Sequence, residues 1–393
     1  VLATAVILPV TCAPAVAAGA DDPATGDPGT TLLPPLPLRL GEDNPCTGAS
    51  RETATGAAWS QATLGLPRAQ RISRGAGVTV AVVDTGVSPD VPSLSGRVTA
   101  LDGAGEDCVG HGTFAAGLIA AAPEKGSGIA GVAPEAEIVA LSGTDDRGVP
   151  SASRVALGIR TAADEGAQVI YVGHTLRTGK AELTSAVAYA AGRDALVIAP
   201  AAPDAVPKEE LGPDNEMPVG PYWPAAAPGV LAVVDFGPSG LRQKHGPPAY
   251  EPDLSAPGSS MVSIGPKGAG HYIGSGASLA AAGTAGAAAL VRAYRPEWSA
   301  AEVSRQLLGT AYPSDTPRLD PYAALSLAPG RGEAAEEAYA KGVPARLPEP
   351  GDSGPRNRAL VIAGVGLGVV LLVGALAAVL PRGRARNWLP PGR

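Results

Sequence analysis

An acid, an imidazole and a hydroxyl each stand among small residues in this chain. Asp84 closes the apolar run Val78–Val83 and is followed by Thr85 and Gly86. His111 stands between Gly110 and Gly112, ahead of an apolar stretch. Ser278 follows Gly274-Ser275-Gly276-Ala277 and opens an Ala-rich stretch. A serine hydroxyl is a poor nucleophile near neutral pH. It attacks a carbonyl when an imidazole takes its proton and a carboxylate fixes the tautomer of that imidazole. Each residue alone has a plainer use. Asp84 would cap a turn at a strand end, His111 would cap a helix, and Ser278 would be an ordinary helix N-cap. His174 is a further imidazole, read as a surface or cleft-wall residue. Asp, His and Ser together, in this order and these contexts, are more specific than any one of them.

The surrounding patterns must bring these groups together. Val78–Val83 reads as a buried strand whose Asp84 lies at the carboxyl edge, where open α/β sheets place their sites. His111 to Ala122 reads as a helix. His111 then lies at the positive end of the helix, which disfavours an imidazolium unless a carboxylate is near. Ser278 to Tyr294 reads as a long helix whose first turn exposes the hydroxyl and aims the Ser278 N–H at a developing oxyanion. Ile138–Leu141, Gln168–Val172, Leu196–Ala199 and Val230–Val234 read as further strands, and Ser151–Glu165 and Ala300–Gly309 as helices. This alternation predicts an α/β fold of three layers, a mostly parallel sheet with helices on both faces.

The 393 residues allow one large domain plus attachments. Hydrophobic residues make up 45%, yet aromatics only 4%, so Ala, Val and other small side chains must fill the core. The net charge of −7 argues against a general nucleic-acid binder, which carries a basic face. Residues 1–17 read as the remnant of a signal peptide, with Val1–Val10 mostly apolar and Ala15-Val16-Ala17 as a small-residue cleavage pattern. Residues 18–45, rich in Pro, Gly and Asp, read as an extended segment with no core of its own. Residues 46–327 read as the globular domain and 328–358 as a second Pro/Gly-rich linker. Residues 359–380 carry no charge. As a helix they would span ~33 Å, enough for one membrane crossing. Arg382, Arg384 and Arg386 in the tail, residues 381–393, favour a cytoplasmic end and an extracytoplasmic domain. Cys12 falls in the signal segment. Cys46 and Cys108 remain, and a lone pair in an exported protein favours a disulfide over a metal site.

The three motifs resemble those of the subtilisin-like serine proteases, and the resemblance runs from about Ser73 to Leu325. Tyr222-Trp223-Pro224-Ala225, Leu254-Ser255-Ala256-Pro257-Gly258, Asp320-Pro321-Tyr322 and Gly128-Ile129-Ala130-Gly131 are similar to further segments of that family. The order of the triad differs from that of α/β-hydrolases, and the Gly-X-Ser-X-Gly elbow of esterases is absent around Ser278. The attachments narrow the resemblance to the mycosins, membrane-bound proteases of actinobacterial type VII secretion systems. That resemblance implies a catalytic triad of Asp84, His111 and Ser278 acting on exported polypeptides without metal or organic cofactor. It also implies a Cys46–Cys108 bridge and a place in a type VII secretion membrane complex.

The sequence departs from the family at the oxyanion site. Subtilisin-like enzymes offer an Asn side chain there, but the corresponding stretch, Val197 to Asp204, puts Pro203 or Asp204 at that position. Proline has no donor, and an ionised Asp repels an oxyanion. Asn215 could substitute only through a different loop path. Gly173-His174-Thr175-Leu176 replaces the usual substrate-binding strand, Ala277 replaces a Thr, and Ala282 replaces a Pro. A slowed enzyme and a non-catalytic subunit with a protease fold are the two expectations.

Overall fold

The computed structural model describes residues 31–244, 246–328 and 354–385. The chain divides into two units, residues 1–330 and residues 331–393. The readings of residues 1–17, of residues 18–30 in the extension and of residues 386–393, and nearly all of the second linker, lie outside the described residues.

In the first unit a seven-stranded parallel sheet runs in the order β2-β3-β1-β4-β5-β6-β7. Its strands are β1 (Thr79–Asp84), β2 (Val98–Ala100), β3 (Glu137–Ser142), β4 (Val169–Val172), β5 (Leu196–Pro200), β6 (Leu231–Phe236) and β7 (Leu254–Pro257). The helices on its faces include α3 (His111–Ala120), α4 (Ala152–Asp164), α5 (Lys180–Ala191) and α6 (Ala277–Tyr294). The short α1 (Trp59–Thr63) and α2 (Leu66–Ala69) precede them, and α7 (Ala300–Gly309) and α8 (Pro321–Ser326) follow. Strand side chains alternate between faces. On β1, Val80 and Val82 enter the core shared with α3 and α6. Ala81 and Val83 enter the core shared with α4 and α5. Two cores on one sheet make the three layers expected from the pattern.

The chain reverses direction across the sheet at β1. It fills β2 and β3 on one side, then starts β4 on the other. Such a switch point opens a crevice at the carboxyl ends of the strands. Asp84 ends β1, and His174 follows β4, so both reach that crevice. Element ends differ from the sequence reading by a residue or two. The structure adds α1, α2, α5, α8, β2, β7 and an antiparallel hairpin of β8 (Met261–Ile264) and β9 (His271–Gly274). The added strands are three or four residues long, too short for alternation to register.

The segment before α1 lies along the domain as a strap. Leu36 N–H donates to Ile273 O at 2.8 Å and Leu40 N–H to Arg147 O at 3.0 Å. The Arg147 guanidinium donates back to Asn44 O and Glu42 O at 2.6 and 2.7 Å. A Cys46–Cys108 disulfide joins the strap to the loop ahead of α3. Leu36 of the strap is buried in the core of the domain.

In the second unit Gly354–Ala385 is one helix. Its Arg358–Gly383 portion is 26 residues long, ~39 Å, and apolar enough to cross a membrane.

Candidate active site

Asp84 is fully buried at the end of β1. Its Oδ1 accepts from Thr85 N–H at 2.7 Å, and its Oδ2 from the Tyr171 hydroxyl at 3.3 Å. These neighbours orient the carboxylate toward the first residue of α3. His111 Nδ1 stands 2.8 and 2.9 Å from the two Asp84 oxygens, and His111 Nε2 3.1 Å from Ser278 Oγ. The structure thus brings Asp84, His111 and Ser278 into one hydrogen-bonded chain at the switch point.

The start of α3 is held by a carboxylate that motif reading passed over. Asp107 is buried, accepting from Gly110 N–H, Thr113 N–H and the Thr113 hydroxyl at 2.7–2.8 Å. The Thr85 hydroxyl also donates to it at 2.8 Å, while accepting from Gly112 N–H at 2.9 Å. Asp107 therefore caps α3 and ties it to the residue after Asp84, fixing the imidazole relative to its acid. An Asp three residues ahead of the Gly110 N-cap is near enough to accept from the free N–H groups of a helix start, and it was open to reading. Burial raises the pKa of Asp107 above the usual carboxylate range despite these hydrogen bonds.

Ser278 corrects one expectation. It was expected to be exposed, but it is fully buried, the second residue of α6. The cover is Asp204. Ser278 N–H donates to Asp204 Oδ1 at 3.0 Å, and Ser278 Oγ–H to Asp204 Oδ2 at 2.5 Å. Of the two alternatives at the oxyanion position, Asp204 reaches the serine, whereas Pro203 lines the cleft wall. A Cβ on Gly276 would fall 2.1 Å from Asp204 Cγ, so that glycine makes room for the carboxyl group. Asn215 sits in the exposed turn Pro213–Asn215, outside the cleft lining.

His174 is more than a wall. Its Nε2 lies 3.3 Å from Asp84 Oδ1, off the line of a hydrogen bond, with no hydrogen-bond partner among the described residues. Its ring centroid is 5.3 Å from that of His111. A Cβ on Gly173 would fall 1.7 Å from Asp84 Oδ2, so only glycine permits this approach. Asp84 thus faces two imidazoles. Burial would raise its pKa, but the attraction of His111 and then His174 outweighs burial and holds it far below the usual range. Burial would lower the pKa of His111. The Asp84 charge and the Asp204 carboxylate outweigh that, pushing it up to about 10. Both acidic side chains favour the imidazolium form of His111.

Asp84, His111 and His174 also offer one ligand atom each within 4.8 Å of one another, a donor set for a zinc-type ion. Such an ion would need the Nδ1 lone pair, which the N–H bonded to Asp84 occupies. Metal binding and the hydrogen-bonded chain therefore exclude each other. The cleft above the site measures about 290 Å³. Leu38 and Arg39 of the strap line it together with Asp204 and its loop.

The subtilase family model matches residues 75–343, the span that contains Asp84, His111, His174, Asp204 and Ser278. The chain belongs to the subtilase family of serine proteases. Within that family it is mycosin-like. It is 30% identical to Mycosin-3 of Mycobacterium tuberculosis, a match covering 95% of this chain and 93% of that protein. The crystal structure of MycP1 from Mycobacterium smegmatis superposes with a TM-score of 0.63 at 25% identity, over 75% of this chain and 93% of that one. A chain in the structure of an intact ESX-5 inner membrane complex matches with a TM-score of 0.62 at 27% identity, over 88% of this chain and 96% of its own.

Proposed function

We propose that this chain is a membrane-anchored serine endopeptidase that cleaves exported polypeptides through an acyl-enzyme on Ser278. The observation that carries the reading is the continuous hydrogen-bonded chain Asp84–His111–Ser278. Ser278 Oγ attacks the peptide carbonyl. His111, oriented by Asp84, manages the proton that reaches the leaving amine, and water then releases the acyl group. The apolar helix Arg358–Gly383 anchors the protein, with residues 46–327 on the extracytoplasmic side. The match to a chain of the ESX-5 membrane complex supports a place in a type VII secretion assembly. As a carboxylate, Asp204 offers the oxyanion no donor, which would reduce turnover relative to an enzyme with an Asn there. Losing one such donor costs about 10²–10³-fold in kcat, a figure measured on a subtilisin.

A second reading, a structural subunit with little or no catalysis, is favoured by the Asp204 carboxylate on the Ser278 N–H. A fluorophosphonate probe separates the two. The protease reading expects labelling of the wild type and none of Ser278→Ala. A folded wild type that stays unlabelled from acid to alkaline pH makes the subunit reading the better one.

A further inference from the structure

Ser278 Oγ carries one proton and has two neighbours that accept it, His111 Nε2 at 3.1 Å and Asp204 Oδ2 at 2.5 Å. A hydroxyl donates once. One proton assignment satisfies every atom. His111, protonated on both nitrogens, donates Nδ1–H to Asp84 and Nε2–H to Ser278 Oγ. Ser278 Oγ–H then donates to Asp204 Oδ2 while Ser278 N–H donates to Oδ1. In the other assignment a neutral His111 accepts from Ser278. Oγ and Oδ2 then touch with no proton between them unless Asp204 carries one. His111 Nε2 lies 3.6 Å from Asp204 Oδ2, and both atoms lie within hydrogen-bonding distance of Ser278 Oγ.

An ordinary triad begins with a neutral imidazole, and the satisfied network here begins with an imidazolium, which cannot act as a base. We propose that Asp204 is a further catalytic residue: its carboxylate receives the Ser278 hydroxyl proton as Oγ attacks, and the resulting carboxylic acid hydrogen-bonds the oxyanion. This rests on the acyl-enzyme reading above and assigns its first proton transfer.

The step balances. The Oγ–H bond breaks and the Oγ–C bond forms. The carbonyl π pair moves to oxygen, and the proton rests on Asp204. One negative charge leaves the carboxylate and one appears on the oxyanion, within the same pocket and beside the same Ser278 N–H and His111 cation. The site is charged for an anion before the reaction starts, so the charge moves a short distance rather than being created. His111 then gives its Nε2 proton to the leaving nitrogen as the C–N bond breaks.

The other groups that share this surrounding are few. Tyr171 from β4 is raised well above its ordinary pKa by burial and by Asp84 and Asp204, so it stays neutral. His174 after β4 and Arg39 from the strap line the same cleft. With a carboxylate in place of an imidazole as the base, activity should persist further to the acid side. Its acid limit lies below the ~6.5 expected where an imidazole alone is the base.

The test measures the acylation rate of the full-length chain in detergent by a fluorophosphonate, whose leaving group needs no proton. His111→Gln should still be labelled, at least ~10-fold faster than the His111→Gln/Asp204→Asn double variant. Independently, wild type should keep its labelling rate to a pH at least ~1 unit lower than Asp204→Asn does. Equal rates for His111→Gln and the double variant overturn the proposal. So does a shared acid limit for wild type and Asp204→Asn, a comparison that holds even where His111→Gln does not fold. Labelling of Asp204→Asn alone would overturn the role of Asp204 and keep the protease reading. Labelling of neither would sink both.

Discussion

His111 and His271 are buried to nearly the same degree, 1% and 2% exposed, and their proton affinities part in opposite directions. His271 sits on β9 against the strap. Its Nδ1 accepts from Ala54 N–H at 2.8 Å, and its Nε2 lies 3.3 Å from the Ser127 hydroxyl. With no carboxylate beside it among the described residues, burial lowers its pKa and favours a neutral joint between two segments of the chain. His111, between Asp84 and Asp204, is raised to about 10. The acids repeat the contrast. Asp84 faces imidazoles and is held down, while Asp107 faces only neutral donors and is raised. Burial is common to all four. The charge of the neighbours decides whether a buried group stores a charge for chemistry or stays neutral as a fastener.

The comparison breaks most severely at Asp84. Replacing it by Asn removes the charge that separates His111 from His271 and frees the imidazole tautomer. Peptide-cleavage kcat should fall by about 10⁴-fold. Steady-state kinetics check this, and a loss under ~10-fold would mean that His111 acts without Asp84.

Asp107 is expected to act on stability first. Asp107→Ala leaves two buried N–H groups and two hydroxyls without their acceptor and removes the cap of α3. A loss of about 3 kcal/mol is expected in chemical denaturation of the full-length chain. Asp107→Asn, which keeps an acceptor oxygen, should lose less. Equal stability of wild type and the Ala variant would deny the capping role.

The smallest effect sharpens the contrast between the histidines. The native pKa of His271 lies below its unfolded value, so the unfolded chain binds the extra proton as pH falls below ~6.5, and stability drops on the acid side. The native pKa of His111 lies above its unfolded value. Its contribution is full below ~6.5 and is lost as pH rises toward about 10. Thermal melts across pH should show His271→Gln flattening the acid slope and His111→Gln the alkaline one. Identical slopes in the two variants would remove the basis of the comparison.

Much of the fold was legible because its signals are local. Val78–Val83 had to be a buried strand, and Ser278 to Tyr294, rich in Ala, had to be a long helix. The alternation of such runs implied a parallel sheet. The glycines around Asp84, His111 and Ser278 marked places of close approach. The rest depends on loop paths that no local pattern encodes. The choice between Pro203 and Asp204 turned on the course of the chain after β5, and so did the covering of Ser278. His174 was visible as a residue, but its approach to Asp84 required Gly173 beside it and β4 beside β1. Asp107 went unread because the motif that drew attention began three residues later.

The Cys46–Cys108 bond spans 62 residues, and Cys108 adjoins Asp107 on the loop that leads to His111. In the chain-entropy account a closure of this length stabilises by about 4 kcal/mol. The consequence concerns timing. A newly made chain whose thiols are still reduced has its strap and its imidazole-bearing loop joined only by weak bonds, so one wall of the cleft and the capped start of α3 are free to part. Oxidation fixes both at once. The redox environment in which the chain matures therefore acts as a checkpoint on when the cleft is complete, and a thiol reductant should loosen the strap before it unfolds the sheet.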